Sequence, residues 1–163
     1  MSNQLNNEYV GLIQENEGII HKVIGLYVDD KEDRKDLFQE ILLQAWKSYK
    51  NFKGQSKFST WLYKVALNTA LTFHKKESRQ KELVNQESVQ TTTHHEQREN
   101  HEMLYTLIKQ INEVDRMLIT LHLDGYKNTE IADIAGVTTN HVNVKIDRIK
   151  SKLIADFKNE TNG

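Results

Sequence analysis

Not one proline interrupts the 163 residues of this chain. Proline removes a backbone donor and clashes with the preceding turn, so it is the residue that most reliably stops a helix. Without it, only glycine and polar clusters remain as punctuation, and between them apolar residues recur at three- and four-residue steps. The pairs Tyr9/Val10, Leu12/Ile13, Ile19/Ile20, Val23/Ile24 and Tyr27/Val28 form one such stripe, with a break at Gly18. Leu37, Phe38, Ile41, Leu42, Ala45, Trp46 and Tyr49 form a second, behind a polar interval in which Asp33 or Asp36 caps the helix start. The expected class is all-α.

The third stripe, from Lys57 to Arg79, has two distinct sides. Ser59 and Thr60 are suited to cap its start. Trp61, Leu62, Val65, Ala66, Thr69, Ala70 and Phe73 make an apolar face, whereas Thr60, Lys64, Asn68, Thr72 and Lys75 fall on a polar one. From Lys57 to Lys81 there are six bases and one acid, a local charge of +5 in a chain of net charge −1. Residues 1–40, with nine acids and four bases, carry −5. A cationic, amide-bearing face beside an aromatic one suits a polyanion that also exposes base edges. The plain alternative is an ordinary solvated surface.

Residues 82–102 are poor in aliphatics and rich in Gln, Asn, Thr, Ser and Glu, which predicts a flexible linker between two small domains. His94, His95 and His101 within it have neither thiols nor an ordered scaffold around them, so no metal site is expected there. Beyond it Met103, Leu104, Leu107, Ile108 and Ile111 form a helical stripe, and Arg116–Leu123 a second helix stopped by Asp124-Gly125. Asn128 or Thr129 caps a short helix ending at Ala135; Gly136-Val137 makes a turn, and Thr138–Leu153 is a longer helix. Two helices around a short glycine-containing turn are the helix-turn-helix pattern. Val142, Ile146, Ile149 and Leu153 would pack, leaving Asn140, His141, Asn143, Lys145, Arg148, Lys150 and Lys152 for phosphates and base edges. From Phe157 the chain is expected to fray.

The absence of cysteine excludes disulfides, thiolate metal sites and cysteine nucleophiles. No signal pattern or membrane-length apolar run is present, which places the chain in the cytoplasm. No nucleotide loop, metal motif or nucleophile with an orienting base is found, so neither an enzyme nor a cofactor is expected.

Three phrases carry a family resemblance: Asp36-Leu37-Phe38-Gln39-Glu40, Asn51-Phe52-Lys53-Gly54, and Phe58-Ser59-Thr60-Trp61-Leu62-Tyr63-Lys64-Val65-Ala66 with Asn68. In this order they closely resemble region 2 of the sigma-70 superfamily, specifically the extracytoplasmic-function (ECF) sigma factors of RNA polymerase. At its distance from that block, the Gly125–Ala132 phrase with its helix-turn-helix looks like sigma region 4. The resemblance implies region 2 over residues 5–80, a linker over 81–102 and region 4 over 103–157.

It further implies that Lys53, Gln55, Ser56, Lys57, Phe58, Trp61, Lys64 and Asn68 serve the promoter −10 element, where a base is held flipped from the non-template strand. Trp61, which shares the apolar face, is read there as core or pocket wall. Thr139, Asn140, His141, Asn143, Lys145, Arg148 and Lys150 would serve the −35 element. Asp36, Leu37, Gln39 and Glu40 would meet the polymerase core, whose clamp helices and flap are the implied partner surfaces, and an anti-sigma factor is the implied regulator. The chain departs from the family pattern in lacking proline near Ile111-Asn112 and in carrying Asn143-Val144-Lys145 where base–hydroxyl–base is common. Two other classes remain: a one-component helix-turn-helix regulator acting without polymerase, and a histidine-based metallohydrolase.

Overall fold

A computed structural model describes residues 2–84 and 99–162. Among them the secondary structure is helical: α1 Ser2–Tyr27, α2 Lys31–Tyr49, α3 Phe58–Val84, α4 Glu99–Gln110, α5 Glu113–Leu123, α6 Asn128–Ala135 and α7 Thr139–Asn162. The chain divides into two compact units, residues 1–86 and 87–163.

The first unit packs α1, α2 and α3 against one another. Its core takes Ile20, Val23 and Ile24 from α1, Leu37, Ile41 and Ala45 from α2, and Leu62, Tyr63, Ala66, Leu67 and Ala70 from α3. Gly18 does not break α1: the helix runs through it, because a single interior glycine costs only about 1 kcal/mol of propensity and the flanking stripe is buried on both sides. The cap of α2 is Asp30, earlier than expected; its carboxylate accepts from the amides of Glu32 (2.9 Å) and Asp33 (3.0 Å). Asp33 instead supplies first-turn negative charge to the helix dipole.

α3 also starts early. The carbonyl of Lys57 takes the first helical bond, from Trp61 N–H at 3.1 Å, so Ser59 and Thr60 lie inside the first turn rather than at the cap. The buried arc of α3 is wider than one stripe, adding Tyr63 and Leu67, because the helix is packed against both α1 and α2. Trp61, Val65, Thr69 and Phe73 are correspondingly half-buried.

In the second unit α4, α5 and α6 all pack on α7. α5 is buried from Arg116 through Leu121, including the arginine. The Arg116 guanidinium donates to the carbonyls of Lys109 and Ile111, satisfying the end of α4. Asn112 caps α5 by accepting from Asp115 N–H at 2.9 Å. Gly125 (φ 90°) and Gly136 (φ 71°) take the left-handed backbone that ends α5 and α6.

α6 begins one residue before the expected caps. Lys127 is the boundary residue, its N–H donating to Glu130 at 3.0 Å, which places Asn128 within the helix. Thr138 caps α7 by accepting from His141 N–H at 3.1 Å. α7 then continues past Phe157 to Asn162, with Phe157 half-buried, so the expected fray does not begin there. Helix also extends into both ends of the expected linker, at 81–84 and 99–102; residues 85–98, with His94 and His95, lie outside the described residues.

Candidate nucleic-acid interface

The loop between α2 and α3 is held by rings. Tyr49 ends α2, Phe52 follows it, and Phe58 and Trp61 open α3. Phe52 stands 5.2 Å from Trp61 and 5.9 Å from Phe58, Phe58 stands 5.3 Å from Trp61, and Tyr49 touches all three. Tyr9 of α1 closes the cluster, 5.2 Å from Tyr49 and 4.9 Å from Trp46. Its hydroxyl donates to the Leu42 carbonyl at 2.9 Å, and burial pushes its pKa up to about 12.

Between these anchors Lys53, Gln55, Ser56 and Lys57 are all exposed, and Gly54 turns the chain at φ 71°. Trp61 therefore forms a wall rather than an open platform. Phe52 and Tyr49 belong to the same wall, which helical periodicity could not show because Phe52 lies outside either helix.

Along α3 the polar face emerges as expected, with Lys64, Asn68, Thr72, Lys75 and Arg79 exposed. Among the described residues the Asn68 carboxamide has no hydrogen-bond partner, while its backbone carbonyl accepts from the Thr72 hydroxyl at 3.0 Å. Asn68 also lines a groove of about 570 Å³ between α2 and α3, together with Asp36, Glu40 and Gln44 on one wall and Thr69, Thr72, Phe73 and Lys76 on the other. The groove thus joins two sets of residues that the sequence assigned to different partners.

Gln39 and Asp36 are exposed, and Glu40, half-buried, accepts from the Gln44 amide at 2.8 Å. Leu37 is a correction. It is 0% exposed, since the α2 stripe turns it into the bundle, and it cannot touch a partner.

In the second unit the α7 candidates separate by what already holds them. Asn140, His141 and Arg148 are exposed, and Thr139 is half-buried. The Asn143 side-chain oxygen accepts from the Asn128 amide of α6 at 2.6 Å. Lys145 pairs with Asp115 of α5 at 3.4 Å. Lys150 is exposed; burial, then the Lys150 charge, lowers the pKa of His122 on α5. Val144, in place of the common hydroxyl, is 42% exposed. Among the described residues no three His, Asp or Glu side chains gather as a metal site, and no helix is long and apolar enough to cross a membrane.

The profile of "Sigma-70 region 2" matches residues 12–80, which include all of α2, the ring-held loop and α3 as far as Gln80. The "ECF RNA polymerase sigma-E factor" of Escherichia coli is 29% identical over 157 residues, covering 82% of this chain and 79% of that one. Residues 12–80 thus match sigma-70 region 2, and over most of its length the chain is similar to an ECF sigma factor.

Other relatives match over shorter stretches. "ECF RNA polymerase sigma factor SigG" of Mycobacterium tuberculosis is 55% identical over 40 residues, 24% of this chain and 11% of the relative. "RNA polymerase sigma-H factor" of Pseudomonas aeruginosa is 43% identical over 53 residues, 31% of this chain and 28% of the relative. The chain therefore spans less than a third of the length of those two.

Among solved structures, the sigma factor RpoE of Bartonella quintana, co-crystallised with the anti-sigma factor NepR, superimposes with a TM-score of 0.72 at 15% identity, over 95% of this chain and 97% of that one. CnrH, in complex with the cytosolic domain of CnrY, gives 0.68 at 16% identity, over 94% and 89%. At those identities the likeness establishes a shared fold.

Proposed function

We propose that this chain is a sigma factor that binds bacterial RNA polymerase core and directs promoter-specific initiation by reading −10 and −35 elements. The observation that carries the reading is the ring-held loop running directly into the Lys64/Asn68 face of α3, within the segment matched by the sigma-70 region 2 profile. Single-stranded DNA is held by cationic grooves, aromatic walls and amides that hydrogen-bond bases. Lys53, Lys57 and Lys64 supply charge, Gln55, Ser56 and Asn68 supply polar groups, and Trp61 with Phe58 supplies the wall.

On this reading α7 reads the −35 duplex through Asn140, His141, Asn143 and Arg148. Asp36, Gln39 and Glu40 offer carboxylate and amide groups to a basic face of the polymerase. The protein works in the cytoplasm, catalyses nothing itself and answers to an anti-sigma factor, a reading supported by the RpoE structure, which is a complex with the anti-sigma factor NepR.

Run-off transcription on genomic fragments, with purified core polymerase alone and with the protein, tests this. Fragment-specific transcripts that require the protein support it. If core polymerase neither binds the protein nor gains specific initiation, while the protein alone shifts duplex DNA, a one-component regulator replaces it.

A further inference from the structure

We infer that Asn128 is a positioning residue that sets which base edge Asn143 reads. The inference rests on the −35 reading above and gives it a chemical direction. Asn143 lies in the second turn of α7, near the helix N-terminus that enters a major groove in helix-turn-helix proteins. A free asparagine pairs with adenine through both halves of its amide, donating to N7 and accepting from N6. Asn143 does not have both halves free. Its oxygen accepts from Asn128 Nδ2 at 2.6 Å across the α6–α7 packing, and the two residues are 15 apart in sequence. The oxygen keeps a second lone pair, but with that oxygen turned to α6 the planar amide presents its N–H groups outward. Those match acceptor edges best, guanine O6 and N7 or thymine O4; adenine offers them N7 alone, and the cytosine N4 donor offers them nothing.

Asn128 itself sits at the first position of α6, behind the Lys127 boundary. An aspartate there complements the helix dipole, so Asn128→Asp keeps the fold while reversing the hydrogen bond. A carboxylate only accepts, so it draws the Asn143 N–H groups inward and leaves the oxygen facing out.

The test uses holoenzyme and a promoter with a randomised −35 segment, sequencing the transcribed templates. Asn143→Ala first locates the base pair that Asn143 reads, as the position whose preference disappears. There the wild type should favour guanine over adenine, and thymine over cytosine, by about fivefold, the scale of one hydrogen bond. Asn128→Asp should move that preference to cytosine or adenine, and Asn128→Ala should admit adenine. A merely structural role for Asn128 would alter yield or melting temperature and leave the preference where it was. An unchanged preference in both variants, or no position that responds to Asn143→Ala, overturns the inference while leaving the sigma reading in place. Absence of any template-specific initiation by the wild-type holoenzyme overturns both.

Discussion

Lys145 of α7 reaches Asp115 of α5 at 3.4 Å, and the same carboxylate accepts from the Asn112 amide at 2.8 Å. A cation suited to a phosphate is therefore already engaged inside its own unit, at the junction where α5 is capped. Releasing it should strengthen and steepen the electrostatic part of DNA binding. For Asp115→Asn, the plot of log affinity for duplex against log salt concentration should steepen by about one unit, corresponding to one more phosphate neutralised. An unchanged slope would mean that Lys145 leaves Asp115 whenever DNA arrives.

Asn68 is exposed in the middle of α3, where alanine is the better helix former by up to about 0.7 kcal/mol. Asn68→Ala should accordingly keep or slightly raise the melting temperature while reducing promoter opening, read by permanganate reactivity of unpaired thymines. Loss of opening together with loss of stability would assign Asn68 to the fold instead.

Leu37 and its neighbours on α2 should respond in opposite ways. Leu37→Ala empties a fully buried site and should cost about 2–5 kcal/mol in denaturant unfolding. Gln39→Ala, on the exposed side, should change stability by less than about 0.5 kcal/mol but weaken binding to core polymerase. Equal core affinity for wild type and Gln39→Ala would remove this residue from the proposed interface.

The buried Tyr9 hydroxyl makes the first unit sensitive to alkali. Its folded pKa, about 12, lies above the ordinary tyrosine value of 10.0, so the folded state keeps a proton that the unfolded chain gives up. The stability it contributes is complete below pH 10 and is lost as the pH rises towards 12. Ultraviolet-monitored titration of wild type and Tyr9→Phe should show one late-titrating tyrosine fewer in the variant, and a shallower loss of stability over that window. If the two curves coincide, Tyr9 does not titrate late.

Helix periodicity carried most of the fold. The α2 stripe, the packing face of α7 and the glycine stops all sit where apolar spacing and turn residues put them. Boundaries were harder, because whether Asp30 or Asp33 caps α2 depends on backbone angles at the turn rather than on residue type. The site divides along the same line. Exposure of Lys64 and Asn68 follows from a helical wheel, but the Asn128–Asn143 and Asp115–Lys145 pairs join residues far apart in sequence, and no local pattern announces them. Leu37 shows the converse: its motif neighbours suggested a contact, and the inward side of its own stripe overrode that.

The ring cluster at the foot of α3 bears on conformational freedom as well as on shape. Fixing one residue's backbone costs about 1–2 kcal/mol of entropy, so a slack loop loses much of its gross attraction to a ligand in becoming ordered. Here Phe52 and Phe58, the residues on either side of Lys53–Lys57, stand 5.9 Å apart, and both rest on Trp61. The ends of the loop are thus tied before any ligand arrives. What remains to be ordered is a handful of long side chains, and more of each new polar contact survives as affinity.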